Sequence, residues 1–378
     1  MAEMKRLCIY AIYDRQKKIN KYIEPILREL KKFTTDIIVV CNFDEITEGK
    51  EYVLPYAAEI YFRDNIGFDA GAYKDALINL VTWDKALLYD ELLLTNDTYF
   101  APIYPFDEMF CRMERKQCDF WGITRHSKVF IEDMGEFDEH IQSYFLNFKR
   151  ELFHSEHFKH FWNAYQYMPD KIHTVVNFEI GINTYLSERG YRGCAYTDDY
   201  WMPFVNMRGV NPYFQFAYEL IRDAKVPMIK KTNFYGKNRW LLNTFAALEY
   251  IGENTDYDLS LINDYISEYQ KKGLIGPYFD FEAMERFVRG HSDIYIYGCG
   301  VWGQITADYF KKKGWKYKCF LVTESADIND DTKRFSDVDI VKSDGIIIAQ
   351  EYKEVCEEII QYIGEKCDKG QLFTPCYV

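Results

Sequence analysis

The 378 residues carry a formal net charge of −13 and are 48% hydrophobic and 18% aromatic, with 32 Tyr and 28 Phe. That length supports two domains and a sizeable core, and the acidic balance excludes a basic footprint for nucleic acid. Ten scattered cysteines with no CxxC, and a start Met1-Ala2-Glu3-Met4-Lys5-Arg6 without a secretory pattern, predict reduced thiols in a cytoplasmic protein; no apolar run approaches the roughly 18 residues of a membrane span.

The N-terminal part alternates strands and helices. Arg6 to Tyr13 reads as a buried strand ending at Asp14. Residues 18–32 read as a helix, with Ile19, Tyr22, Ile23, Ile26, Leu27 and Leu30 at helical spacing. Asp36 to Asn42 is a second strand and Glu59 to Phe62 a third; a helix from about Ala70 to Val81 follows, then Leu92 to Thr95 as a fourth strand. This β-α-β-β-α-β order predicts a mostly parallel sheet with ligands at the carboxyl ends of its strands. Asp14, Asn42, Arg63 to Asp69 and Asn96-Asp97 all fall at such ends.

Between about 100 and 250 the chain is irregular and aromatic. Cys118 to Thr124 reads as a strand, and Phe158 to Trp162 and Val175 to Arg189 as helices, the latter closed by Gly190. Their aromatic faces read as core. Residues 251–290 read as a helical connector, its last helix starting at Phe281 with Asp280 as N-cap. A second domain opens near Ser292. Strand Asp293 to Tyr297 runs into Gly298-Cys299-Gly300-Val301-Trp302-Gly303, then a helix to Lys313 and a strand ending at Glu324. Gly298, Gly300, Gly303 and Glu324 fit a dinucleotide fingerprint, yet the unit is short, so a packing or assembly module is expected and bound NAD is not. The basic clusters Lys17-Lys18, Lys230-Lys231 and Lys311-Lys312-Lys313 read as solvated surface.

Two polar turns carry the chemistry. In Asn65-Ile66-Gly67-Phe68-Asp69, Gly67 permits a tight turn and the following helix offers free N–H groups to an anion. Asp69 suits a ribose or sugar hydroxyl, and Arg63 suits phosphate charge. In Asn96-Asp97-Thr98, Asp97 is the candidate ligand for a Mg²⁺ or Mn²⁺ ion bridging to a diphosphate; the usual pair of acids is reduced to one acid after an Asn. Both turns suit a nucleotide sugar. The seven histidines show no zinc spacing.

The runs Arg63 to Lys74, Glu91 to Pro102, Cys118 to Thr124, His140 to Phe145 and Phe178 to Ile182 resemble the rhamnan synthesis protein F family over roughly residues 5–240. The resemblance implies a GT-A-like glycosyltransferase domain over 1–250; the strand, glycine loop and helix from Asp293 onward read separately as a small Rossmann-like α/β domain over 291–378. The resemblance also implies a dTDP-rhamnose donor and a lipid-linked glycan acceptor met at the inner membrane face. Transfer with inversion needs a general base. Glu179, beginning a helix in a polar setting, is the candidate, with Asp119, Asp138 and the Asp198-Asp199 pair as rivals. Trp121, His126, His140 and Ser143 are candidates for an acceptor groove, with Trp121 stacking on a sugar ring. A second reading, favoured by the single acid at Asp97, is a non-catalytic scaffold or regulator of polysaccharide assembly. A third is an oxidoreductase using the 298–303 loop.

Overall fold

The structure is a computed structural model that describes residues 4–200, 209–234, 241–271, 281–324, 329–350, 353–364 and 366–374. The predicted cap Asp280 lies outside these. Two compact units emerge, Met1–Lys231 with Ala247–Ile262, and Thr232–Ala246 with Asn263–Val378.

The first unit is built on a seven-stranded sheet. Its first four strands in chain order are β1 (Arg6–Ile12), β2 (Asp36–Cys41), β3 (Glu59–Phe62) and β4 (Glu91–Asn96). They lie side by side as β4-β1-β2-β3, all parallel. Beyond β4 come Phe145–Phe148, antiparallel, then Phe120–Gly122, then Gly193–Ala195. Parallel strands are covered on both faces and therefore read as continuous apolar runs; all seven residues of β1 and all six of β4 are buried. One face, with Leu7, Ile9, Ala11, Ile38, Val40, Leu92 and Leu94, packs on Ala70, Ala72 and Tyr73 of the Phe68–Asp75 helix and on Phe158, Trp162 and Phe178. The aromatic helix faces of the middle segment are thus core. At the amino end of the sheet, buried Arg6 donates from Nε to Glu91 Oε2 at 3.0 Å and lies over the Phe110 ring at 4.7 Å.

The helix predicted over 18–32 is shorter, Ile23–Leu30. Asp14 takes the preceding residues into a turn: its Oδ1 accepts from the backbone of Gln16 at 2.7 Å and of Lys18 at 3.3 Å. The helix predicted from Ala70 begins two residues earlier, at Phe68, and passes into a π-helical turn at Ala76–Leu80. The 175–189 helix begins at Lys171, with a π-helical turn over Val175–Ile180.

The second unit holds a five-stranded, all-parallel sheet. Its strands are Ile294–Tyr297, Phe320–Val322, Thr332–Arg334, Gly345–Ile348 and Leu372–Phe373. Numbered in chain order they lie 3-2-1-4-5. This is a fuller parallel sheet than the short unit expected. The Val301–Lys313 helix follows the first strand and ends on Gly314 at φ 69°.

Candidate functional site

In an open parallel sheet the ligand crevice opens where the strand order reverses. Here that is between the carboxyl ends of β1 and β4, where Asn96 and Asp97 stand. The loop after β3 reaches the same rim. Gly67 (φ 72°) and Phe68 (φ 57°) are consecutive left-handed residues that turn the chain into the Phe68–Asp75 helix. A bulky side chain at positive φ is strained and persists only where its surroundings hold it. Two braces do so. Asn42 Nδ2 donates to the Phe68 carbonyl at 3.0 Å. Arg63 donates to Asp75 Oδ2 at 2.6 Å, Asn42 Oδ1 at 2.7 Å and the Ile66 carbonyl at 2.7 Å. A Cβ on Gly71 would stand 2.1 Å from the Ile66 carbonyl oxygen, so the helix meets its own leading loop more closely than any other residue allows. Arg63, read from the sequence as a phosphate group's partner, is spent on this brace.

The rim residues are chained together. Asp69 Oδ1 accepts from the Ala70 N–H at 2.9 Å and Oδ2 from Asn96 Nδ2 at 2.8 Å. Asn96 Oδ1 accepts from the Thr98 hydroxyl at 2.6 Å. Burial pushes the Asp69 carboxyl up, against the pull of those hydrogen bonds; Glu179 nearby adds to the rise and Lys230 opposes it. The Asn65 Oδ1 is buried without a hydrogen-bond partner.

Asp97 is the residue whose setting departs most from expectation. It is 6% exposed, and its Oδ2 accepts from Lys231 Nζ at 3.0 Å and Tyr22 OH at 3.3 Å. An ammonium already neutralises the carboxylate that was read as a metal ligand, and no group of three His, Cys, Asp or Glu gathers for a metal among the described residues. The donor set does not fit Mg²⁺ or Mn²⁺. The Lys230-Lys231 pair is therefore not a solvated patch. The short strand Ile229–Lys230 pairs antiparallel with Tyr99–Phe100, Lys230 opposite Tyr99, which carries both lysines to the β4 rim. Lys230 Nζ donates to Thr98 Oγ1 at 2.5 Å and lies over the Tyr144 ring at 4.2 Å. Burial lowers it to about 7, with Glu179 and Asp69 opposing the fall. The sequence signal was available: these lysines close the apolar run Val226-Pro227-Met228-Ile229.

Glu179 lies in the π-helical turn, a geometry often found at functional sites. Its Oε2 accepts from the Ser143 N–H and the Ser143 hydroxyl, both at 2.7 Å, and its Oε1 stands 3.4 Å from His140 Nε2. Burial would raise its carboxyl, but His140 and Ser143 outweigh it and bring it down to about 2. Four residues on, on the same helix face, Asn183 exchanges hydrogen bonds with the backbone of Ile141 at 3.0 and 2.9 Å, which fixes the His140–Ile141 strand against the helix. His126 faces His140 directly in the antiparallel register, so the rings stack, centroids 5.4 Å apart and 3° from parallel. Burial holds His126 below the usual imidazole value.

Trp121 is a correction. It is fully buried, edge-on to Phe110 at 5.4 Å and against Phe145 at 5.6 Å, because its strand lies inside the sheet. It cannot stack on a sugar. The rival carboxylates are engaged elsewhere: Asp119 accepts from the Arg192 N–H, Asp138 pairs with Lys128, Asp198 with Arg125 and Asp199 with Lys116. Asp14 stands at the end of β1, held in its local turn.

In the second unit Gly298 adopts φ 103°, and a Cβ on Gly303 would stand 2.0 Å from the Gly298 carbonyl oxygen; Gly300 has open space where a Cβ would be. Glu324 is exposed at the end of the second strand.

Among known proteins, the family model described as rhamnan synthesis protein F matches residues 37–293. The chain belongs to that family, and the match runs through the 251–290 segment rather than stopping near 240. A curated relative, an uncharacterized protein of Sinorhizobium fredii (strain NBRC 101917 / NGR234), is 25% identical over 191 residues, covering 48% of this chain and 46% of its own length. The chain thus matches about half the length of that relative. Solved structures similar to this chain include the glycosyltransferase GlyE of Streptococcus pneumoniae TIGR4, at 12% identity and TM-score 0.34 over 98% of this chain and 92% of that one. Another is the 4-diphosphocytidyl-2C-methyl-D-erythritol synthase of Anaerococcus prevotii DSM 20548, at 12% identity and TM-score 0.33 over 65% of this chain and 98% of that one.

Proposed function

We propose that this protein is a glycosyltransferase of polysaccharide synthesis, taking a sugar from a nucleoside diphosphate donor. The observation that carries the reading is the gathering of Asp69, Asn96, Lys230 and Glu179 at the strand-order switch of the first sheet, joined by hydrogen bonds and by mutual charge effects. Membership of the rhamnan synthesis protein F family supports polysaccharide as the product. It also favours rhamnose from dTDP-rhamnose as the sugar and a lipid-linked glycan at the inner membrane face as the acceptor. No helix among the described residues is long and apolar enough to cross a membrane.

In this reading residues 1–250 form a GT-A-like donor domain. Asn42, Asn65, Gly67, Phe68 and Asp69 shape the nucleotide and sugar pocket, with Arg63 as its brace. Asn96 orients Asp69, and Asp14 and Asp97 close the rim. His126, His140 and Ser143 border the acceptor. Transfer with inversion breaks the bond from the anomeric carbon to the phosphate oxygen, its electron pair leaving with the diphosphate. The acceptor oxygen supplies the pair for the new bond, and its proton passes to Glu179. A carboxylate near 2 is a weak base at rest. The acceptor hydroxyl becomes strongly acidic as its oxygen bonds to carbon, so a weak, well-aimed base suffices late in the step. Residues 251–290 link this domain to the Rossmann-like unit, which we assign to packing or assembly.

The test is sugar transfer, or hydrolysis in the absence of acceptor, from dTDP-rhamnose and UDP-sugars. Turnover that is lost in Glu179→Gln with donor affinity retained is the expected result. Absence of both turnover and nucleotide binding would overturn the enzyme reading and leave the scaffold, which the ammonium-paired Asp97 favours.

A further inference from the structure

We infer that Lys230 is the cationic group that receives the donor's diphosphate, in the role a divalent metal would otherwise fill; this rests on the transferase reading. A departing diphosphate accumulates negative charge as its bond to the anomeric carbon breaks, and a positive group positioned beforehand stabilises that charge. A carboxylate-held metal is one solution. At this rim Asp97, the acid read from the sequence as that metal's ligand, is already paired with Lys231 and Tyr22, and Lys230 offers a positive charge that needs no metal.

Lys230 has the required properties. Its ammonium is seated by the Thr98 hydroxyl and the Tyr144 face, and no carboxylate among the described residues lies within ion-pair distance of it. A part-buried ammonium without a counter-ion is costly, and an anion arriving beside it relieves that cost. Thr98 hydrogen-bonds Asn96, and Asn96 holds Asp69, so the ammonium stands at the head of the chain of groups assigned to the donor. The charges acting on it are Glu179, Asp69, Lys171 and Lys231. Lys231 is paired with Asp97, and Glu179 is held by the Ser143 N–H and hydroxyl. Lys230 is left to meet the ligand; burial disfavours its charged form, and an anion seated beside it would favour that form again. Lysine binds phosphate as a compact point charge.

Calorimetric titration of the full chain with uridine, UMP and UDP, and with thymidine, dTMP and dTDP, with and without EDTA, tests this. The wild type is expected to bind one diphosphate at least tenfold more tightly than its monophosphate, equally in EDTA. Lys230→Met is expected to lose that tenfold step while keeping the monophosphate affinity, and Lys230→Arg to retain most of it. A wild type that binds none of the six ligands would sink the transferase reading. A wild type that prefers the diphosphate, with K230M preferring it equally, would leave that reading standing and overturn the role of Lys230. Loss of the preference in EDTA would assign the charge to a metal and likewise overturn it. Should K230M fail to fold, as checked by its melting curve, Thr98→Val carries the test. Removing the ammonium's seat is expected to weaken diphosphate binding three- to tenfold, and unchanged affinity would overturn the inference.

Discussion

At the scale of single residues, charge burial separates positions that look alike in sequence. Asp97 and Lys231 form a buried pair, and removing one partner strands the other. Asp97→Ala is expected to destabilise the protein by about 3–5 kcal/mol, read by urea denaturation without ligand. The double variant Asp97→Ala/Lys231→Met should lose less than the sum of its singles. A metal-ligand role for Asp97 predicts near-unchanged stability without metal, so the two accounts part cleanly. Glu179 gives a pH signature. Its carboxyl falls from 4.5 to about 2 on folding, so its contribution is fully present above about pH 4.5 and is lost as pH falls through about 2. The difference is on the order of 3 kcal/mol. Glu179→Gln should flatten the acid limb of stability across that window; an unchanged limb would show that His140 and Ser143 do not hold the carboxylate as described. Asp69 has the opposite sign. Burial raises it, so its ionisation costs stability above its ordinary range, and that cost disappears in acid.

At the scale of elements, the two glycine turns divide into positions that need glycine and positions that tolerate a side chain. Gly71→Ala drives a Cβ to 2.1 Å from backbone oxygen, which no rotamer can relieve. A loss of roughly 1–3 kcal/mol with displacement of the Gly67-Phe68 turn is expected, seen as lower melting temperature together with weaker nucleotide binding. In the second unit, Gly303→Ala meets the Gly298 carbonyl at 2.0 Å and should destabilise by a similar amount, whereas Gly300→Ala meets nothing within 4 Å and should leave thermal unfolding unchanged. Equal effects at the two positions would contradict the close helix–strand packing seen there. Both turns were visible as Gly-rich stretches after apolar runs. Which glycine is obligatory was not, because that depends on a carbonyl reached only when the helix folds back against the loop.

At the scale of the whole molecule, a nucleoside diphosphate that binds the folded chain should raise its melting temperature; at a hundredfold excess over Kd the gain is about 2.7 kcal/mol. A panel of dTDP, UDP and GDP by thermal shift ranks the base, and a flat response to all three would argue against a donor site. The four parallel strands and their polar rims were legible because a strand buried on both faces must be an apolar run and must end where polar residues begin. The aromatic core under the Phe68–Asp75 helix was legible as well, from helical spacing of rings in the middle segment. The 18–32 helix was over-extended because Ile19 fits the helical period while the Asp14 carboxylate, capping its own turn, decides the backbone. Trp121 was misjudged because a strand interior and a binding face carry the same aromatic residue.

Local pattern sufficed for whatever depends on neighbours along the chain: the apolar strands, the helix periods, the turn at Asn65 to Asp69 and the polar ends of the strands. Lys230 and Lys231 reach the rim through a two-residue strand pairing 132 residues from Thr98, and His140, Ser143 and Glu179 meet only because the Asn183 helix is pinned to the Ile141 strand. Those assignments of charge to partner were made by folding alone, since the energy of a buried ion depends on what long-range packing brings beside it.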